Sequence, residues 1–153
     1  LVLGCGNILF GDDGFGPATV EYIQKNFKIH EDVSVLDVGT GVREIFLTLA
    51  LTETRIEKVI IVDALDLGRR PGEVFEVSIE DLPEDKVSDF SLHEFPTTNL
   101  LKAIRDESGV EVIIIACQVE KIPELVSMDL SDSVKKAIPK AAEAILKHAE
   151  SPL

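Results

Sequence analysis

The chain has 153 residues, 45% of them hydrophobic, and a net charge of −13. That length fits one domain spanning 1–153 with a full core, and the acidity leaves little to neutralise the phosphates of a nucleic acid or an anionic membrane surface. No apolar run reaches the roughly 18 residues of a membrane span, and the two cysteines, Cys5 and Cys117, make neither a disulfide framework nor a zinc knuckle, so a reducing cytoplasm is the expected setting.

The chain opens on Leu1 inside an apolar run, from which a short native start, at least a Met, is expected ahead of it. No signal peptide is visible in the sequence. Leu1 to Gly4 reads as the end of a buried strand, and Gly11 to Gly16 as a turn rich in Gly and Asp. Pro17 suits the first turn of the helix that follows, where its missing N–H costs nothing. Val33 to Val38 is predicted as a second strand, closed by Gly39-Thr40-Gly41, and Arg43 to Leu51 as a second helix. Lys58 to Asp63 is a third strand, continuously apolar from Val59 to Val62 as in the middle of a parallel sheet. Glu73 to Ile79 alternates with period two, which predicts an edge strand with one exposed face. A polar loop from Glu80 to Leu92 leads to a helix capped by Thr97 or Thr98 and running to about Glu107. Val110 to Ala116 is a last buried strand, and Asp132 to His148 a closing helix.

Buried strands alternating with helices imply an α/β fold, a mostly parallel twisted sheet of about five strands with helices on both faces. Ligands of such sheets bind outside the carboxyl ends of the strands. The sequence places there Gly4-Cys5-Gly6-Asn7, Asp12-Asp13, Asp37-Val38-Gly39-Thr40, Asp63 and Ala116-Cys117-Gln118. Asp63 closes an apolar run, where an ionised carboxylate is costly unless a cation or hydrogen bonds compensate it. Of Asp12 and Asp13, one can cap the next helix and leave the other to bind a cation. His93 lies in Ser91-Leu92-His93-Glu94, directly before a helix. One His with two carboxylates is a sound three-ligand set for a divalent metal with open positions, although a lone loop His is more often simply solvated. A dinucleotide cradle is the rival reading of the glycine loop. Gly4 and Gly6 fit its fingerprint, but the sixth position is Leu9 and the two acids would repel a pyrophosphate. No nucleophile–base pair is evident, and two thiols amid so much acid read as inert.

The run Gly4-Cys5-Gly6-Asn7-Ile8-Leu9-Phe10-Gly11-Asp12-Asp13-Gly14-Phe15-Gly16 resembles the amino-terminal signature of the nickel–iron hydrogenase maturation endopeptidases. The resemblance continues through Asp37 to Gly41, Ile60 to Ala64 and Ser91 to Glu94, and so covers most of the chain. It implies a cytoplasmic endopeptidase that removes the carboxyl-terminal extension of a hydrogenase large-subunit precursor once nickel has been inserted. The metal is contributed by the substrate, and other divalent metals are expected to substitute. Carried over residue by residue, the metal ligands are Asp13, Asp63 and His93. Asp12 and Asp13 are the candidate catalytic carboxylates, and Asp37, Gly39 and Thr40 the candidate substrate-binding residues. Two departures stand out: the first ligand is often Glu in the family and is Asp13 here, and Val38 stands where a second Gly is common. Cys117 to Glu120 points to an archaeal deazaflavin-reducing hydrogenase as client. Two alternatives stay open, a nickel-checking scaffold that does not cut and a dinucleotide-binding module.

Overall fold

The computed structural model describes residues 1–50, 56–82 and 98–151. Strands β1 (Val2–Cys5), β2 (Val35–Gly39), β3 (Lys58–Leu65), β4 (Val74–Val77) and β5 (Glu111–Gln118) form one sheet in the order β2-β1-β3-β5-β4. All neighbouring pairs are parallel except β4 with β5. Among the described residues four helices complete the fold: α1 (Phe15–Asn26), α2 (Val42–Ala50), α3 (Thr98–Ser108) and α4 (Asp132–Glu150). The expected α/β sheet with helices on both faces is what the chain forms.

Side-chain alternation along the strands divides the core in two. Val2, Ile60, Val62 and Ile115 pack with Val20 and Ile23 of α1 and with Ala141 and Ile145 of α4. Leu3, Ile61, Ile114 and Ala116 pack with Phe46 of α2 and Leu101 of α3. Strand β3 is central and apolar on both faces, as its continuous run of β-branched residues requires. Strand β4 is an edge, with Phe75 and Val77 buried and Glu76 exposed between them, so the predicted period-two edge is realised.

Three local expectations shift. Strand β3 runs on to Leu65, so Asp63 lies inside the strand, paired in register with Ala116 of β5, rather than at its end. Neither Asp12 nor Asp13 caps α1. The two acids sit in a 3-10 turn, Gly11–Gly14, and Gly14 precedes the helix with no side-chain cap. The start of the expected polar loop forms a further 3-10 turn, Ile79–Asp81, in which the Ser78 hydroxyl accepts from the Asp81 N–H.

The connections locate the site. From β1 the chain passes through α1 to β2 on one side, then returns through α2 on the opposite face to β3 on the other side of β1. The winding therefore reverses between β1 and β3, the switch point at which the loops of a doubly wound sheet part and leave a crevice.

Candidate functional site

Two carboxylates occupy this switch point. Asp13, in the 3-10 turn after β1, is 3% exposed, and its Oδ2 accepts from the Asn7 N–H at 2.9 Å, which folds the side chain back over the Gly6-Asn7 loop. Asp63, on β3, is 1% exposed, and its Oδ1 accepts from the Ala64 N–H at 2.8 Å. By alternation Asp63 points to the same face as Leu3, Cys5 and Ile61, the α2/α3 side.

Glycines make the approach of these segments possible. A Cβ on Gly6, whose φ is +134°, would lie 1.9 Å from the Asp13 carbonyl oxygen. A Cβ on Gly16 would lie 2.2 Å from the Cys5 carbonyl oxygen and 2.4 Å from that of Val62. The first turn of α1 is thus pressed directly onto the end of β1 and the middle of β3, and this brings the Asp13 turn against the strand that carries Asp63.

Asp12 faces elsewhere. It is fully buried and its carboxylate takes four hydrogen bonds: from the backbone N–H groups of Glu120, Lys121 and Ser131 and from the Ser131 hydroxyl, at 2.7–3.0 Å. These donors lie in the connection from β5 to α4, 108 to 119 positions along the chain. A carboxylate whose lone pairs are committed to four donors is a clamp, and it is not poised to exchange a proton with a substrate. These bonds give the expected catalytic acid Asp12 a structural role, and the sequence alone held no signal separating it from its neighbour.

Asp37, Gly39 and Thr40 form the adjoining rim. Asp37 is exposed on β2, and its Oδ1 accepts from the Gly39 N–H at 2.9 Å, closing a tight turn in which Gly39 has φ +51°. The Gly39 carbonyl in turn accepts from the Gly6 N–H at 2.9 Å, tying this turn to the loop after β1. Alternation directs Asp37 to the α1 face, opposite to Asp63. There it lines a cavity of about 450 Å³ together with Ile8, Pro17 and Met128. His93, the third expected ligand, lies outside the described residues. Asp13 and Asp63 supply hard oxygen donors of the kind a divalent cation accepts. Among the described residues no group of three His, Cys, Asp or Glu side chains is gathered closely enough to hold a metal ion.

Both thiols are buried and free. Burial pushes the Cys5 thiol well above its ordinary value, and the negative charges of Asp63 and then Asp37 raise it further. Cys117 is pushed up to about 12 by burial and by Asp12. Neither forms a thiolate near neutrality, so neither serves as a nucleophile.

The chain's similarities to known proteins decide its family. The model of the hydrogenase maturation protease family matches residues 17–148. The chain belongs to the hydrogenase maturation protease family. Proteins of this family are endopeptidases, and this chain is one. It is 37% identical over 148 residues to a putative hydrogenase maturation protease of Methanocaldococcus jannaschii, covering 95% of this chain and 93% of that one. It is 35% identical over 150 residues to the coenzyme F420 hydrogenase subunit delta of Methanothermobacter thermautotrophicus, covering 95% and 91%. Among solved structures, the hydrogenase maturating endopeptidase HybD from E. coli superposes with a TM-score of 0.77 at 25% identity, covering 96% of this chain and 89% of that one. The maturation protease HycI from Thermococcus kodakarensis KOD1 gives 0.76 at 25% identity, covering 98% and 91%. The protease fold and the reversal between β1 and β3 therefore go together in this family member. No helix among its described residues is long and apolar enough to cross a membrane.

Proposed function

We propose that this protease removes the carboxyl-terminal extension of a hydrogenase large-subunit precursor only after nickel has been inserted, and that Asp13, Asp63 and His93 read that metal. What supports the reading is the pair of buried carboxylates on either side of the switch point, in a site whose only described thiols are held protonated. With no thiolate among the described residues, the route taken here is activation of water, for which carboxylates beside a divalent cation are suited.

In this mechanism the nickel arrives in the substrate and is held jointly by the precursor and by Asp13, Asp63 and His93. Docking then positions the scissile peptide at the crevice between β1 and β3. Held there by Asp13, Asp63 and His93, the substrate's metal would supply Lewis-acid assistance to the scissile carbonyl or to a bound water. Water adds to the carbonyl carbon, the C–N bond breaks, and the departing amine takes up the proton that the water released. In this reading Asp13 carries that proton, and the four hydrogen bonds that Asp12 accepts favour it over Asp12. The Asp37-Gly39-Thr40 turn holds the substrate chain beside it. Likeness to the protein named coenzyme F420 hydrogenase subunit delta supports a deazaflavin-reducing hydrogenase as the client. Two buried free cysteines suit a reducing cytoplasm.

The test is a time course on matched nickel-loaded and nickel-free precursor, followed by mass spectrometry, with intact enzyme, Asp63→Asn and His93→Ala. Asp63→Asn keeps shape and a neutral oxygen, so its defect reports charge. Loaded precursor is expected to be cut, and nickel-free precursor and both variants to be slower by about a hundredfold or more, equivalent to about 2.7 kcal/mol of barrier. Equal cleavage of both precursors by intact enzyme would show that nickel is not the signal. Loaded precursor that keeps its full mass would make the protein a nickel-checking scaffold.

A further inference from the structure

Two stretches distant in sequence leave large apolar side chains in solvent on the same side of the molecule. Ile8 and Leu9 follow β1, and Leu125, Val126 and Met128 lie in the connection from β5 to α4, with Leu125 81% and Met128 65% exposed. The stretches are locked together. The Gly11 N–H donates to the Ser127 carbonyl at 2.7 Å, the Ser127 N–H donates to the Leu9 carbonyl at 2.8 Å, and Phe10 and Ser127 form a parallel bridge. The Asp12 clamp fixes both flanks of the second stretch, at Glu120 and at Ser131. Five exposed apolar side chains on a tied backbone are unusual for a surface that meets only water, and a surface already ordered binds without the cost of ordering it.

Beneath this rim lies the cavity of about 450 Å³, walled by Ile8, Met128 and Leu130 and by the acids Asp37 and Glu21, with no Lys or Arg among its described lining residues. Glu21 is paired with Lys25 along α1, which leaves Asp37 the dominant charge. Gly11 and Gly14, the two ends of the turn that carries Asp13, also line the cavity.

We infer that this rim and cavity are the docking surface for an extended segment of the precursor that combines apolar side chains with a Lys or Arg. The inference rests on the endopeptidase reading above and adds to it the surface that holds the substrate. Charge decides the occupant. The chain carries −13, so a second copy or an acidic segment meets like charge, whereas a cationic side chain reaching Asp37 meets an opposite one at a partly apolar site. Leu, Val or Met side chains of the same segment cover the five exposed residues.

The experiment compares intact enzyme with Leu125→Ser/Met128→Ser, which keeps the charge, and with Val126→Ser as a milder variant. All three positions are exposed, so thermal melts are expected to coincide. Fluorescence anisotropy with a labelled hexapeptide of alternating Leu and Lys, and with its Leu–Glu counterpart, reads docking without cleavage. Intact enzyme is expected to bind the Leu–Lys peptide at least about tenfold more tightly than the Leu–Glu peptide, and the double variant to lose at least about tenfold, or about 1.4 kcal/mol. With nickel-loaded precursor the double variant is expected to raise KM about tenfold and leave kcat within about twofold, the mark of lost ground-state binding. Equal binding of the Leu–Lys peptide by intact enzyme and double variant, equal binding of the two peptides, or an unchanged KM would overturn the docking surface. Peptide binding that depends on Leu125 and Met128 in a protein that leaves loaded precursor uncut would uphold the surface and overturn the endopeptidase reading instead.

Discussion

The carboxylate of Asp12 holds Ser131 twice, at the backbone N–H at 2.7 Å and at the hydroxyl at 3.0 Å, across 119 positions of chain. With the N–H groups of Glu120 and Lys121 on the same side chain, Asp12 closes the connection from β5 to α4 onto the turn that carries Asp13. Adjacent acids of identical chemistry thus have different partners: Asp12 binds the distant connection, and Asp13 folds back onto the Asn7 N–H of its own loop.

Asp12→Ala is expected to destabilise the fold by about 3–5 kcal/mol, because several donors lose their acceptor at a buried position and each orphaned donor costs about 1–3 kcal/mol. Asp12→Asn keeps one acceptor oxygen and is expected to cost about half as much. Asp13→Asn also retains an oxygen for the Asn7 N–H and is expected to stay within about 1 kcal/mol of the intact protein while losing processing. Urea denaturation of the three variants beside a precursor-cleavage assay checks this division. An Asp12→Ala protein as stable as the intact one would refute the clamp.

Gly16→Ala tests the close packing of α1 on the sheet. The added methyl would meet the carbonyl oxygens of Cys5 and Val62 at 2.2 and 2.4 Å, both backbone atoms that cannot swing aside. Separation of the helix from the strands is expected to cost about 3 kcal/mol or more, and to move the Asp13 turn away from β3. A thermal melt reads the first effect, and the cleavage rate of whatever remains folded reads the second. Gly68→Ala is the control of opposite kind, since Gly68 has nothing within 4 Å of the added methyl and only its positive φ of +68° to satisfy. Its expected cost is about 1 kcal/mol.

Cys117 gives a pH dependence. Its thiol ionises near 9.0 in an unperturbed state and is pushed up to about 12 in the folded protein. A group whose folded value is raised contributes stability that is fully present below the unfolded value and lost as pH rises through the folded one. Stability is therefore expected to fall between about pH 9 and pH 12, and Cys117→Ala to flatten that fall relative to the intact protein. Melts recorded across this range for the two proteins make the comparison. The same burial predicts that iodoacetamide at pH 8 leaves both cysteines unmodified in the native protein and labels both after unfolding, read by mass spectrometry.

What the sequence determined by itself is whatever local pattern controls. The apolar run from Val59 to Val62 made β3 a central strand, because only a strand covered on both faces is apolar at every position. The alternation of Val74 to Val77 made β4 an edge. The long run from Gly4 to Gly16 was legible as a family signature because close approach of α1 to β1 and β3 tolerates no side chain at Gly16. Three things had to wait for the tertiary structure. The antiparallel direction of β4 is set by the short path from β3 that returns it to β5, which no side-chain pattern records. The division between Asp12 and Asp13 depends on donors more than a hundred residues away, and local propensity treats two neighbouring acids before a helix alike. The apolar rim unites Ile8 and Leu9 with Leu125 and Met128 through backbone hydrogen bonds at Ser127, and each of those stretches, read alone, is an unremarked pair of hydrophobic residues in a loop. Periodicity reports which side of an element is buried; it carries no information about which distant segment an element is buried against, and that choice is made by the packing of the whole chain.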